Sequence, residues 1–179
     1  MRKILAVIGR PGVGKTTLFR KFIEHKEWEK QELVKLVPSL YNKELDLHIL
    51  GKYEDGEVFA GTDRMSMAVM PAAVEFVKSV NSNIIFEGDR LTSSTFFDLL
   101  SSLPDTDFQI FVITANEDLL SERYEERGSN QSETFLKGRN TKISNIQTNM
   151  EFMFISETFF NNNFDDQTVI LGRIEQFFK

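Results

Sequence analysis

The 179 residues are 41% hydrophobic and 27% charged, enough for one substantial core, so one domain spanning 1–179 is expected. With no cysteines the chain offers no disulfide-linked partner, thiolate metal site or cysteine nucleophile, and with no apolar run near the roughly 18 residues of a membrane span it is expected in the cytoplasm without membrane contact. The net charge of −6 disfavours indiscriminate nucleic-acid binding, which needs Lys and Arg to neutralise phosphates, but a local basic channel would override that average.

Lys3 to Ile8 is a short apolar run with β-branched residues and predicts a buried parallel strand. Gly9-Arg10-Pro11-Gly12-Val13-Gly14-Lys15-Thr16-Thr17 follows and fits G-x-x-x-x-G-K-[ST] at every constrained position. Next, apolar residues at 18, 19, 22 and 23 predict a helix. Strand, glycine loop and helix thus occur in the order that a nucleoside triphosphate site requires. The glycines let the loop curl its N–H groups onto phosphate oxygens, and the helix adds the positive end of its dipole. Lys15 is the residue to reach the β and γ phosphates, Thr16 offers its hydroxyl to Mg²⁺, and Thr17 is a further phosphate contact.

Val34 to Val37 reads as a strand stopped by Pro38, and Leu45 to Leu50 as another; paired across Leu40 to Lys43 they would make an antiparallel hairpin. Glycines 51, 56 and 61 punctuate a loop ending in Asp63-Arg64. A helix is predicted over Ser66 to Ser79, with Pro71 tolerated near its start, and a central strand over Asn83 to Glu87, followed by Gly88-Asp89-Arg90. Thr92 or Ser93 caps a helix reaching about Leu103, and Phe108 to Ile113 is a strand. Asn116 caps a helix over Glu117 to Arg127. A long helical pattern runs from Glu133 to about Phe160, Thr168 to Leu171 reads as a last strand, and Arg173 to Phe178 as a closing helix. The alternation predicts an α/β fold: a doubly wound parallel sheet of about five strands, with the extra hairpin if it forms and a helical lid over about 123–142. Ligands in such sheets sit beyond the carboxyl ends of the strands.

Glu87 closes an apolar strand, where a carboxylate can hold Mg²⁺ directly or through water, and Asp89 competes for that role. Asp63 beside Arg64 offers a base and an anion clamp. Asp63 is preferred as the carboxylate that accepts an acceptor proton; Glu87 and Asp89 remain alternatives, and a helix N-cap is its plain structural use. Arg90 can clamp an acceptor phosphate or pair with a carboxylate. Arg123 and Arg127 share a helix side, and Arg127, Lys137, Arg139 and Lys142 against Glu133 give a local charge of +3. That asymmetry suggests a lid whose arginines stabilise charge on a transferring phosphoryl group, unless Glu122, Glu125 and Glu126 simply pair with them. His25 and His48 lack a ligand constellation, and Trp28, Tyr53 and Phe59 read first as packing residues.

With these residues in place the chain resembles P-loop kinases of the nucleoside monophosphate kinase and polynucleotide kinase group. Leu50-Gly51-Lys52-Tyr53, Gly61 to Val69, Phe86 to Leu91 and Lys137-Gly138-Arg139 look like the bacteriophage P-loop kinases that act on DNA bases. That resemblance implies ATP as donor, Mg²⁺, a phage origin, and DNA carrying a hydroxymethylated base as acceptor, with the 5-hydroxymethyl group of 5-hydroxymethyluracil receiving the phosphate. Lys52 and the basic lid would then flank a groove for a DNA strand, and the base would leave the stack to reach Asp63. A nucleoside or nucleotide kinase, and a nucleotide-binding switch or ATPase without an acceptor, stay open as alternatives.

Overall fold

The apolar run before the glycine motif forms the centre of the sheet. In the computed structural model, which describes residues 1–57, 59–126 and 132–179, this strand is Arg2–Gly9 (β1), and Ile4 to Ile8 are at most 1% exposed. A strand buried on both faces requires neighbours on each side and helices above and below. β1 pairs in parallel with Asn83–Glu87 (β5) on one side and Thr106–Thr114 (β6) on the other. The complete order is β2-β3-β4-β5-β1-β6-β7, where β2 is Glu29–Val34, β3 Val37–Asn42, β4 Leu47–Leu50 and β7 Ser156–Phe160. β4 through β7 in that order are parallel, giving the five parallel strands expected, and β2 and β3 extend them antiparallel to seven.

Helices cover both faces. One apolar cluster joins Ile4, Ala6 and Ile8 to Met70–Ser79 (α2), Ser94–Ser102 (α3), Glu133–Thr148 (α5) and the single turn Met150–Met153 (α6). The other joins Leu5 and Val7 to Lys15–Ile23 (α1), Glu117–Glu126 (α4) and Phe164–Phe178 (α7). Alternate residues of β1 thus feed opposite cores, as the pleat demands. Among the described residues no helix is long and apolar enough to cross a membrane.

Several boundaries differ from the sequence expectation. Val34 to Val37 is not one strand: Val34 ends β2 and Val37 begins β3, and Lys35 and Leu36, the latter at φ 75°, form the hairpin turn between them. Pro38 sits inside β3, where the pairing register shifts between Gln31 and Val34, so its missing N–H costs little there. Leu40 to Asn42 belongs to β3, and Asp46, at φ 45°, turns the chain into β4. The predicted helix from Ser66 starts only at Met70, with Pro71 at its first turn.

The largest correction lies near the C-terminus. Thr168 to Leu171 is interior to α7, because only one side of that β-branched run is buried: Ile170 is 0% exposed, whereas Val169 is 60%. Ile170, Ile174 and Phe177 form the buried helical stripe, and Asn163 caps it by accepting from the Asp166 N–H at 2.9 Å. The last strand comes earlier. α5 stops at Asn149, whose side chain caps α6, and Ser156 to Phe160 then pairs with Ile110 to Thr114.

Candidate active site

All five parallel strands bring their carboxyl ends to one edge, where the chain leaves β1 at Gly9, β4 at Leu50, β5 at Glu87, β6 at Thr114 and β7 at Phe160. The glycine motif spans from Gly9 into α1. Gly12 and Gly14 have φ of 81° and 91°, a region that L side chains rarely adopt, and a Cβ at Gly14 would lie 2.5 Å from Asn161 Nδ2. Lys15 Nζ donates to the carbonyls of Gly9 (2.8 Å) and Arg10 (3.1 Å), so its ammonium lies over the loop's mouth. Arg10 pairs with Glu117 of α4. Val13 is buried, and Thr17 lies exposed on α1.

Thr16 Oγ1 donates to Glu87 Oε1 at 3.2 Å. Glu87, 2% exposed, also accepts from the Tyr53 hydroxyl at 3.4 Å. Burial raises its pKa from 4.5 to about 7, against the opposing pull of Lys15 and with a further push from Asp63. Burial, then the facing Glu87 carboxylate, lifts the Tyr53 hydroxyl well above the usual tyrosine range. Thr16 and Glu87 are hard oxygen donors, and among the described residues no group of three or more His, Cys, Asp or Glu could hold a metal by itself. That set suits Mg²⁺, which keeps water and phosphate oxygens in its shell.

The loop after β4 brings Asp63 to the same place. Gly51, at φ 117°, and Gly61, at φ 72°, stand back to back, and Lys52 and Gly61 exchange backbone hydrogen bonds of 3.2 and 2.7 Å. The chain then enters a single 3₁₀ turn, Thr62–Arg64. Thr62 Oγ1 donates to the Glu87 carbonyl at 2.8 Å, tying this turn to β5. Asp63 Oδ1 accepts from the N–H groups of Asp89 (3.0 Å) and Arg90 (3.3 Å), which fixes its carboxylate beside the strand end. Arg64 pairs with Glu57. Arg90 donates to the Asp63 carbonyl at 3.4 Å and contacts the Met67 sulfur.

Asp89 faces α5. It pairs with Arg139 and, at 3.1 Å, with Lys142, which also donates to its carbonyl. Burial holds both cations below their ordinary pKa values, and Arg139 adds to the effect on Lys142. Lys137 is exposed on the same helix. Arg123 lies elsewhere: it reaches the outer side of the glycine loop, donating to the carbonyls of Gly12 (3.1 Å) and Asn161 (3.0 Å). Arg127 lies outside the described residues. The predicted site residues therefore fall into three groups: Lys15, Thr16, Glu87 and Asp63 at the strand ends; Asp89, Arg90, Arg139 and Lys142 beside them; Arg123 behind the loop.

The contacts of four residues escaped the sequence reading, which took Tyr53 only as a packing residue. Tyr53 stacks on Phe19 at 5.9 Å while its hydroxyl meets Glu87, and Thr62 braces β5. Tyr124 donates to the Pro11 carbonyl at 2.6 Å, and Asn161 Nδ2 to the Val13 carbonyl at 2.7 Å. Recognising β7 would have exposed Asn161, since the residue after a parallel strand lies at the ligand edge.

No protein-family model and no curated protein matches the chain. Among solved structures, a gluconokinase from Sinorhizobium meliloti 1021 is similar over 98% of this chain and 96% of its own, with a TM-score of 0.51 and 13% identity. An uncharacterized protein from Eubacterium ventriosum ATCC 27560 aligns over 99% and 98% of the two chains, with a TM-score of 0.42 and 16% identity. At 13% identity the first likeness bears on architecture alone, and that architecture, a mostly parallel seven-stranded sheet wrapped by helices behind a glycine loop, is the P-loop kinase fold.

Proposed function

We propose that the protein is an ATP-dependent phosphotransferase whose acceptor is a hydroxyl on a nucleic-acid-type substrate, most specifically the 5-hydroxymethyl group of 5-hydroxymethyluracil in DNA. The observation that carries the transfer reading is the convergence of Lys15, Thr16, Glu87 and Asp63 at the ends of β1 and β5, with Asp63 fixed by two backbone N–H groups. A glycine loop with its lysine suits a triphosphate; a carboxylate locked beside it suits a proton acceptor.

In this reading the glycine-loop N–H groups and Lys15 hold the β and γ phosphates; Thr16 and Glu87 would hold Mg²⁺, whose charge would offset that of the phosphate oxygens. The acceptor hydroxyl oxygen forms a bond to the γ phosphorus as the bond from phosphorus to the β–γ bridging oxygen breaks. ADP leaves, and the hydroxyl proton passes to Asp63. Because Oδ1 of Asp63 carries both backbone hydrogen bonds, Oδ2 is the oxygen that takes the proton. Arg90, Arg139 and Lys142 orient the acceptor's phosphate.

The DNA acceptor rests on the motif resemblance, supported by the cations of α5 beside Asp63. A free nucleotide is the second reading, favoured by the compactness of the Asp89–Arg139–Lys142 cluster. Incubation with γ-labelled ATP and Mg²⁺ against free deoxynucleotides, ordinary DNA and DNA containing 5-hydroxymethyluracil decides between them. Label on the modified DNA alone is expected; label confined to free nucleotides would move the assignment to the second reading. Lys15→Ala should abolish transfer, and Asp63→Asn should lower kcat by roughly 10²- to 10⁴-fold, the usual range for a positioned base. Near-normal turnover by Asp63→Asn would remove Asp63 from that role.

A further inference from the structure

β7 ends the sheet, and its outer side is open. In a parallel ladder alternate residues bond the same neighbour; the Ile155 carbonyl accepts from the Ile110 N–H (2.8 Å) and the Asn161 N–H donates to the Thr114 carbonyl (2.8 Å). The odd-numbered residues between them therefore bond β6. The N–H and C=O groups of Ser156, Thr158 and Phe160 face outward, with no backbone partner among the described residues. The opposite edge of the sheet is guarded: β2 carries Glu29, Lys30 and Glu32, and its register with β3 shifts between Gln31 and Val34. β7 has no proline and no register shift, and its one charge, Glu157, is held by Arg173 of α7 at 2.7 Å.

The surface flanking this edge is apolar. Phe154, two residues before Ser156, is 93% exposed, and Phe160, at the far end of the strand, is 59% exposed. On α7, Val169, Arg173 and Gln176 share one helical stripe, and because Arg173 reaches Glu157 that stripe runs along β7; its Val169 is 60% exposed. The outward groups of the strand are their own complement. A twofold axis through Thr158 lays a second β7 antiparallel to the first, with Thr158 opposite Thr158 and Ser156 opposite Phe160. Each strand's three outward N–H groups then meet the other's three outward C=O groups, and none is left over. The same axis sets α7 beside the second copy's α7 and brings each Phe160 to the end of the strand where the other copy's Phe154 stands. At the ~150–250 Å² that an aromatic side chain buries, Phe154 and Phe160 supply roughly 230–380 Å² per copy, against about 800 Å² per partner in a standard interface, before the strand, Val169, Met150 and Met153 are added.

We propose that the protein is a twofold homodimer joined edge to edge through β7, its two seven-stranded sheets forming one continuous sheet. An extended peptide of another protein would satisfy the same backbone groups, but a second copy also matches the phenylalanines at the two ends of the strand to each other. The axis stands perpendicular to the sheet, so the carboxyl ends of the parallel strands point opposite ways in the two copies and neither candidate active site is covered by the other copy.

Sedimentation equilibrium of the full chain at micromolar concentration should give a dimer. Thr158 is exposed, so substituting it leaves both cores untouched. Thr158→Lys and Thr158→Glu each set like charges directly opposite one another across the axis, and each variant alone should be monomeric with an unchanged circular dichroism spectrum. An equal mixture of the two sets opposite charges face to face and should restore the dimer, which neither a loosened fold nor an interface elsewhere would do. In wild type, hydrogen exchange followed by NMR should show the amides of Ser156, Thr158 and Phe160 protected, although the single chain leaves them open. A monomeric wild type, a dimer that persists in both variants, or a mixture that stays monomeric would overturn the proposal. Fast exchange at those three amides in a dimeric wild type would overturn it too, whether or not the variants fold.

Discussion

Glu87 is the sole buried carboxylate among the described residues, and its surroundings give the free protein a pH dependence of definite sign. Its pKa is about 7 in the fold and near 4.5 when exposed, so the native state holds its proton more tightly. The stabilisation is complete below pH 4.5 and is lost as pH rises towards and through 7. Glu87→Gln keeps the shape and an acceptor for Thr16 and Tyr53 but never ionises. It should raise the melting temperature at pH 8 by roughly 5–10 °C, from a relief on the order of 3 kcal/mol, and make little difference at pH 5. A destabilised variant at pH 8 would show that the charged form is the better accommodated one. Gly61 is the other sharp residue-scale case. At φ 72° a Cβ there would lie 2.5 Å from Glu87 Oε1 and 3.0 Å from the Tyr53 hydroxyl. Gly61→Ala should cost at least about 2 kcal/mol in urea denaturation, and an unchanged midpoint would mean that the loop yields freely. The sequence displayed Glu87 and Asp63 because one ends an apolar run and the other sits in a glycine-bounded loop beside an arginine. Tyr53 was hidden, since a lone aromatic carries no mark that its hydroxyl will meet a carboxylate thirty-four residues on.

Elements were legible where two signals agreed and illegible where one stood alone. β1, α1 and β5 combined an apolar run with a motif or a turn, and each folds as read. Thr168 to Leu171 had β-branched residues but no information about burial, and the stripe of Ile170, Ile174 and Phe177 made it helical. Ser156 to Phe160 had the converse problem, its phenylalanines continuing a helical spacing that Asn149 ends by capping α6. The β2–β3 hairpin was anticipated in kind but displaced, because Pro38 marked a strand end only on the assumption of a regular ladder. The element whose position matters most for the proposed transfer is α5, and its link to the sheet edge is narrow. Arg139 and Lys142 both pair with Asp89, while only Ile143 and Ile146 of the helix are buried. Asp89→Ala removes the shared anion and leaves the two cations side by side. Hydrogen exchange should accelerate over Glu133–Thr148 and remain unchanged in α7, which is anchored by its own apolar stripe. Equal protection of α5 in both proteins would place its anchorage in Ile143 and Ile146 alone.

At the scale of the molecule the charge distribution sets a limit on how the proposed acceptor can be held. The chain carries −6 overall, which disfavours a polyanion on average, and the cations nearest the proposed transfer site are Arg90, Lys137, Arg139 and Lys142. Each phosphate neutralised on a single strand contributes about −0.7 to the slope of log affinity against log salt. If these four cations alone meet phosphates, the slope is about −3, a loss of roughly 50-fold between 50 and 200 mM salt. Fluorescence anisotropy of a single-stranded oligonucleotide bearing 5-hydroxymethyluracil measures this directly. A slope near zero would mean that phosphates are not what holds the acceptor and would favour contacts to the base and its hydroxyl alone. A slope near −8 would require a far wider basic surface than the edge beside Asp63 supplies. Between those values the acceptor is held locally, by a few phosphates next to the reacting hydroxyl, and an acidic protein can act on DNA without binding it indiscriminately along its length.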